Sequence, residues 1–510
     1  MKKAALNLLA RVLVVAILPC SLRAQMDNVP AAAPDTATGW KITDPFYPTY
    51  HVAPPYGWMN DPHPVYFKGA YHLFYQFSYL RDNPYGRTGL QSGQRPRRTW
   101  GHAMSTDLVH WKHMPIALTP EEHGRPGDPH VFSGMVVDNG GTGTVLYTIN
   151  NIDIWMATSK DKDLAGFTAY AGNPVVKGPP PGLAISGQMR DPWVWKEGKE
   201  WCMIIGSGLA GGKGPVIPLY KSTDLVNWRY LHPLYRADSS QFDLLGDAAF
   251  CECPAFFPLG NKWVLVFSDK TTYLTGRWEG QRFIPERRGR LDWGEDTTLV
   301  KTGGIYVPEF ALDALGRRIM WGWTGGWSKV RSDGPELVKA GWSGAQTLPR
   351  VLTLNKEGML DFEPAEELKA LRKDHQTVSS ITLAADSSRV LEGVQGMQLE
   401  IGVVIKPGTS RNFGIELLDV QEETKIFYDA EKKSLCYNGI CVPLPLSRNE
   451  NLELRLFIDG KLLEIYANKK VVFTEELKPA GTGGYRVKLF ARNGRAYVLQ
   501  ADTWKMGTIW

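Results

Sequence analysis

The chain has 510 residues, 43% hydrophobic and 22% charged, with a net charge of +5. That length supports two or more domains with substantial cores. The charge is small and no long basic run occurs, which argues against a nucleic-acid surface: Arg95-Pro96-Arg97-Arg98 reads as a solvated loop.

In chain order, the first predicted element is an export segment at residues 1–24. Lys2 and Lys3 precede an apolar stretch densest at Val12 to Leu18, and Leu22-Arg23-Ala24 offers a cleavage site. The run is too short for a membrane span. Pro19 before Cys20 is a poor match for lipid processing, so the expectation is a secreted or periplasmic protein without a lipid anchor. Residues 25–44 read as a flexible leader.

From 45 to 355 short alternating segments, such as Tyr71 to Phe77 and Lys262 to Phe267, are separated by Gly, Pro, Asp and Asn. Period-two alternation at this density predicts strands, and 18 Trp with 52 Gly and 34 Pro suit a turn-rich all-β chain. Ser105-Thr106-Asp107-Leu108-Val109-His110-Trp111 recurs as Ser222-Thr223-Asp224-Leu225-Val226-Asn227-Trp228, a sign of repeated architecture. Acids recur as well: Asp61 before Pro62, Asp191 before Pro192, Glu252 before Cys253-Pro254, and Glu309 after Pro308, with Ser133 at the second place in the series. A recurrence near 60 residues predicts five blades of a β-propeller, whose inner strands bring these side chains to one channel. Taken alone, Asp61 fits an Asx turn, and Glu309 fits a structural role as well as a catalytic one.

Residues 356–376 carry helical character and read as a linker. Strand patterns then follow over 377–510, among them Met397 to Ile405, Leu452 to Ile458 and Ala496 to Thr503, which predicts a β-sandwich. Cys436 and Cys441 flank Tyr437-Asn438-Gly439-Ile440, a hairpin signal that sets the two cysteines opposite each other, either bridged or as free thiols. Cys202, Cys251 and Cys253 lack metal-ligand spacing with any histidine, so no metal is expected.

Ordered motifs over most of the chain resemble glycoside hydrolase family 32, the β-fructofuranosidases. They are Trp58 to Pro62 (WMNDP), Tyr71 to Phe77, Trp100 to Trp111, Phe132 to Gly134 (FSG), Arg190 to Pro192 (RDP) and Glu252 to Pro254 (ECP). Gly341 to Arg350 resembles the segment closing the catalytic domain, and Leu454 to Asn468 the signature of a C-terminal sandwich. The resemblance implies a five-bladed propeller followed by a β-sandwich. It implies Asp61 as nucleophile, Glu252 as acid/base and Asp191 as transition-state stabiliser. Asn60, Gln76, Phe132, Ser133 and Arg190 would surround the fructosyl unit, with Trp58 and Trp100 walling the pocket. It implies a carbohydrate partner and no cofactor, because carboxyl groups do all the chemistry.

The chain departs from the family pattern at His63-Pro64, where Asn-Gly is common and a turn is expected behind Asp61. It also departs at Gly93 to Arg98, which replace a usual Trp, and at Ala255 after ECP. The insertion from Arg81 to Arg98 is expected at the pocket rim. The reading that follows is a secreted retaining fructosidase acting on sucrose, inulin or levan. A fructosyltransferase and a non-catalytic fructan-binding protein are the alternatives.

Overall fold

The computed structural model describes residues 42, 44–79, 97–128, 130–237, 250–268, 271–294, 304–324 and 340–510. The export segment, nearly all of the leader and residues 81–96 of the insertion lie outside the described residues.

The chain is all-β. Residues up to 364 form five antiparallel sheets laid down in sequence. Their first strands are Gly57–Phe67, Gly134–Asn139, Ile185–Glu197, Ala255–Leu259 and Tyr306–Leu312. These strands neighbour one another in order, and the fifth returns to the first. Phe310 of the fifth packs on Phe257 of the fourth at a ring separation of 4.6 Å. Closure is made by Trp342–Ser343, which follows the fifth sheet's early strands yet pairs in parallel with Gly57 and Trp58 of the first. The repeated heptapeptide builds the same turn in the first and third sheets. In each copy the serine hydroxyl bonds the aspartate (3.0 and 2.9 Å), the leucine takes a positive φ (67° and 66°), and the tryptophan N–H caps the leucine carbonyl.

Residues 372–506 form two six-stranded sheets that share one apolar core, including Ile401, Leu456 and Ile465 from one sheet and Phe413, Ile415 and Leu489 from the other. They hold twelve strands, within the expectation of six or more. Cys436 and Cys441 are register partners across the Asn438-Gly439 turn, joined with an S–S length of 2.02 Å and a Cα separation of 4.1 Å.

The linker expected at 356–376 is shorter. Leu360–Pro364 pairs with Arg350–Leu354 as the last strand of the fifth sheet, and Arg372 already opens the next domain. Asn355 to Met359 is a hairpin turn, closed by hydrogen bonds from Met359 and Glu357 N–H to the Asn355 side chain and by Gly358 at φ +76°. Its charges imitate a helix start. Helix survives only as a 3-10 segment, Glu366–Leu371, with Pro364 just ahead of it.

A buried polar network joins the two halves. The Arg350 guanidinium, fully buried, donates to Asp292 (2.8 Å) and to Glu464 (2.9 and 3.1 Å). His51 bridges Asp459 (3.0 Å) and Glu464 (3.2 Å), while Thr49, Tyr50 and His51 N–H groups all donate to Asp459.

Candidate active site

Four of the five first strands carry, within them or just ahead of them, the same local device, a distorted residue followed by proline. The segments are Asn60-Asp61-Pro62, Arg190-Asp191-Pro192, Glu252-Cys253-Pro254 and Tyr306-Val307-Pro308. In three of them the pairing with the neighbouring strand slips, three residues spanning the length of two: between Met59 and Pro62, between Arg190 and Trp193, and between Tyr306 and Glu309. The proline has no N–H to give to a ladder, so each strand can bulge there without an orphaned donor. Asp191, Cys253 and Val307 take positive φ values of 66°, 42° and 48°, an uncommon conformation for residues with a Cβ. A bulge turns two consecutive side chains out of strict alternation, which lets polar groups from neighbouring sheets meet.

Asp61 is only partly exposed. Its Oδ1 accepts from Asn60 Nδ2 (2.9 Å) and its Oδ2 from Ser133 Oγ (2.6 Å). Gln76 Nε2 in turn donates to Ser133 Oγ (2.6 Å), and Gln346 Nε2 fixes the Asn60 carbonyl (2.9 Å). Asp191 lies deeper, 5% exposed. Its carboxylate accepts the Cys253 N–H (3.2 Å), and its own N–H is held by Thr148 Oγ1 (3.0 Å). The Arg190 guanidinium donates to Glu252, lies 3.5 Å from Asp191 and covers the Phe250 ring at 4.2 Å. The other Glu252 oxygen accepts from the Tyr306 hydroxyl. Asp61, Asp191 and Glu252 thus share one electrostatic site: charge on Glu252 acts on both aspartates, and charge on Asp61 acts on Asp191.

Burial sets the protonation pattern. It pushes the Asp191 carboxyl up to about 7, against the pull of Arg190 and with the push of Glu252 and Asp61. Burial raises Asp61 too, opposed by the Ser133 hydrogen bond. Close approach of backbones is also built in. A side chain on Gly206 would strike the Cys251 and Arg190 carbonyls, and one on Gly344 the Met59 carbonyl. Among the described residues no group of three or more His, Cys, Asp or Glu is arranged to hold a metal ion.

Several expectations require correction. Trp100 does not wall the pocket: it is 0% exposed, stacks on His63 at 4.2 Å and donates its indole N–H to the Phe132 carbonyl (3.1 Å). Trp58 is 7% exposed and meets Trp323 edge-on at 5.5 Å, with Arg98 over both Trp58 and Phe132. Gln76 is 1% exposed and donates to Ser133, which in turn donates to Asp61, so it stands in the same hydrogen-bond chain. His63 and Pro64 form no turn, because they continue the strand opposite Phe74 and Leu73. Asp61 likewise sits in a bulge and not in an Asx turn. Tyr306, Thr148 and Gln346 were not anticipated. Aligning the prolines would have found Tyr306, which takes the place of Glu252, whereas Glu309 matches Ala255 in that register.

An array of carboxyl groups with one arginine and one tyrosine among them is the equipment of a glycoside hydrolase. The chain matches the model of the glycosyl hydrolases family 32 N-terminal domain over residues 51–364 and that of the family 32 C-terminal domain over 367–505. It belongs to glycosyl hydrolase family 32. It is similar to a sucrose-6-phosphate hydrolase of Escherichia coli, 30% identical over 91% of this chain and 95% of that protein. It is similar also to a levanase of Bacillus subtilis (strain 168), 30% identical over 94% of this chain and 73% of the relative. The crystal structure of fructan 1-exohydrolase IIa from Cichorium intybus shares the fold, with a TM-score of 0.76 at 23% identity over 92% of this chain and 98% of that one.

Proposed function

We propose that the protein is an exported, retaining β-fructosidase that removes terminal fructose from sucrose or fructans. Its five sheets are the blades of a propeller, and its two six-stranded sheets form a sandwich. One observation carries the reading: Asp61, Asp191 and Glu252 come from three different sheets, yet each is held differently at one channel. Asp61, gripped by neutral donors and partly exposed, is the nucleophile that captures C2 of the fructosyl unit. Glu252, which accepts from both Arg190 and Tyr306, protonates the leaving oxygen and then activates water. Asp191 grips hydroxyls of the ring and favours the positive charge that builds on it. Trp58, Asn60, Phe132 and Ser133 shape the subsite, and Arg190 orients Glu252.

The names of the relatives supply the substrate class. An exported enzyme meets unphosphorylated sugars, so sucrose and fructans are preferred over sucrose 6-phosphate. The test is incubation with sucrose, sucrose 6-phosphate, inulin and levan, with products resolved by size. Free fructose from sucrose or a fructan is expected. Turnover of the phosphorylated sugar alone would overturn the export reading, and a large deficit of fructose against glucose at high sucrose would make the enzyme a fructosyltransferase. Binding of fructan with no product from any substrate would leave a non-catalytic protein.

A further inference from the structure

A fourth carboxyl group shares the channel and has no place in the three-acid scheme. Glu309 is 7% exposed on the fifth inner strand, just past the Val307-Pro308 bulge. The bulge pairs Tyr306 with Trp323 and Glu309 with Trp321, so all four side chains share one face of the sheet. That face packs on the first sheet, through Trp323 against Trp58 and Trp321 against Trp111 at 6.4 Å. Glu309 is therefore turned toward the strand that carries Asp61.

The titratable groups that act on or feel it are Asp61 from the first sheet, Asp191 from the third and Cys253 ahead of the fourth; Arg190, Glu252 and Tyr306 belong to the same cluster through one another and Asp191. Charge on Asp191 and on Asp61 acts directly on Glu309, and Cys253 feels all four acids. Arg190 is engaged with Glu252 and Asp191, and Arg98 lies over the rings of Trp58 and Phe132. Among the described residues no ion pair or hydrogen bond reaches Glu309. A carboxylate buried without a counter-ion beside two others is very costly, and a carboxylic acid there is not. Burial, together with Asp191 and Asp61, drives its pKa well above the ordinary range.

We propose that Glu309 is a positioning residue of this site: it stays a neutral carboxylic acid where a third anion would otherwise stand, and its O–H is available to Asp61, which favours the ionised form of the nucleophile. The proposal rests on the fructosidase reading for its consequence, but not for the state of the side chain. The O–H adds a donor where a third anion would otherwise stand. An amide can replace that donor; an alkyl side chain cannot.

The test compares Glu309→Gln and Glu309→Leu with the wild type, using the pH profile of kcat/KM on sucrose or the preferred fructan. Glu309→Gln keeps the acidic limb where it is and stays within about threefold of wild type. Glu309→Leu moves that limb to higher pH by about one unit and lowers kcat/KM about tenfold, the effect of one donor to a charged group. Equal damage in both variants, or a wild-type profile in Glu309→Leu, overturns the proposal. A readout independent of activity is the infrared carbonyl band of a protonated carboxyl at pH 7.5: present in the wild type and reduced in Glu309→Gln if the proposal holds, unchanged if it does not. An enzyme inactive on every fructoside would sink the fructosidase reading, while the infrared result would still decide the state of Glu309.

Discussion

The molecule buries two clusters of carboxylates around arginine, and their chemistry runs in opposite directions. At the junction of the two halves, Glu464 accepts from Arg350, His51, the Leu348 N–H and the Tyr466 hydroxyl, and its carboxyl falls to about 2. In the channel, Asp191 has one backbone N–H and a distant share of Arg190, and its carboxyl rises to about 7. Both groups are buried, so burial does not explain the difference. Neighbouring charge and donors do: Arg350 and His51 hold Glu464 in its charged form, whereas Glu252 and Asp61 press on Asp191. A structural carboxylate is saturated with donors; a working one is left short of them, and substrate hydroxyls can supply the rest.

That contrast can be broken first at the junction. Arg350→Met removes the cation from buried Asp292 and Glu464, so Asp292 loses its arginine and Glu464 keeps only His51 as a cationic partner. A loss of about 3–5 kcal/mol is expected in denaturant unfolding. An unchanged midpoint would mean that the network adds nothing to the docking of the halves. The pH dependence of the same junction comes next. His51 is raised to about 9, above its unfolded value, because Asp459 and Glu464 hold its charged form against the cost of burial. Its contribution is complete below pH 6.5 and is lost as pH rises through about 9, at most about 3 kcal/mol by linkage. Unfolding midpoints at pH 6 and 9.5 should differ more in the wild type than in His51→Gln. The smallest effect has the opposite sign. Asp191 is raised, so the folded state loses stability as pH climbs from about 4, where the unfolded carboxyl ionises, to about 7, and the loss is complete above that. Asp191→Asn should stabilise the protein by about 1 kcal/mol at pH 8 while it removes activity. Destabilisation by Asp191→Asn would erase the contrast.

Much of this was legible in the sequence, and the exceptions have physical causes. Alternation and turn residues announced the strands, and recurring acids announced a shared channel. Glu309 was placed in that recurrence by spacing alone, but the bulge prolines fix the true register and put Tyr306 opposite Glu252. Spacing counts residues, whereas a bulge consumes one without advancing the strand. Trp100 looked like a sugar platform because its motif neighbours the pocket; strand alternation turned it into the core beside His63. The Asn355 to Gly358 turn was hidden by charges that suit a helix start. The junction network was invisible, since its partners are far apart in the chain: 58 residues for Arg350 and Asp292, 114 for Arg350 and Glu464, and 408 for His51 and Asp459.

If Asp61 is the nucleophile and Glu252 the acid/base, the covalent intermediate can be trapped and located. Glu252→Gln is mixed with an activated aryl β-fructoside, whose leaving group needs no proton. The enzyme is then quenched, digested and mapped by mass spectrometry. The account predicts one fructosyl unit on the peptide that contains Asp61, released when azide is added, with retained anomeric configuration in the azide product. A fructosyl unit on another residue, or an azide product of inverted configuration, would contradict it.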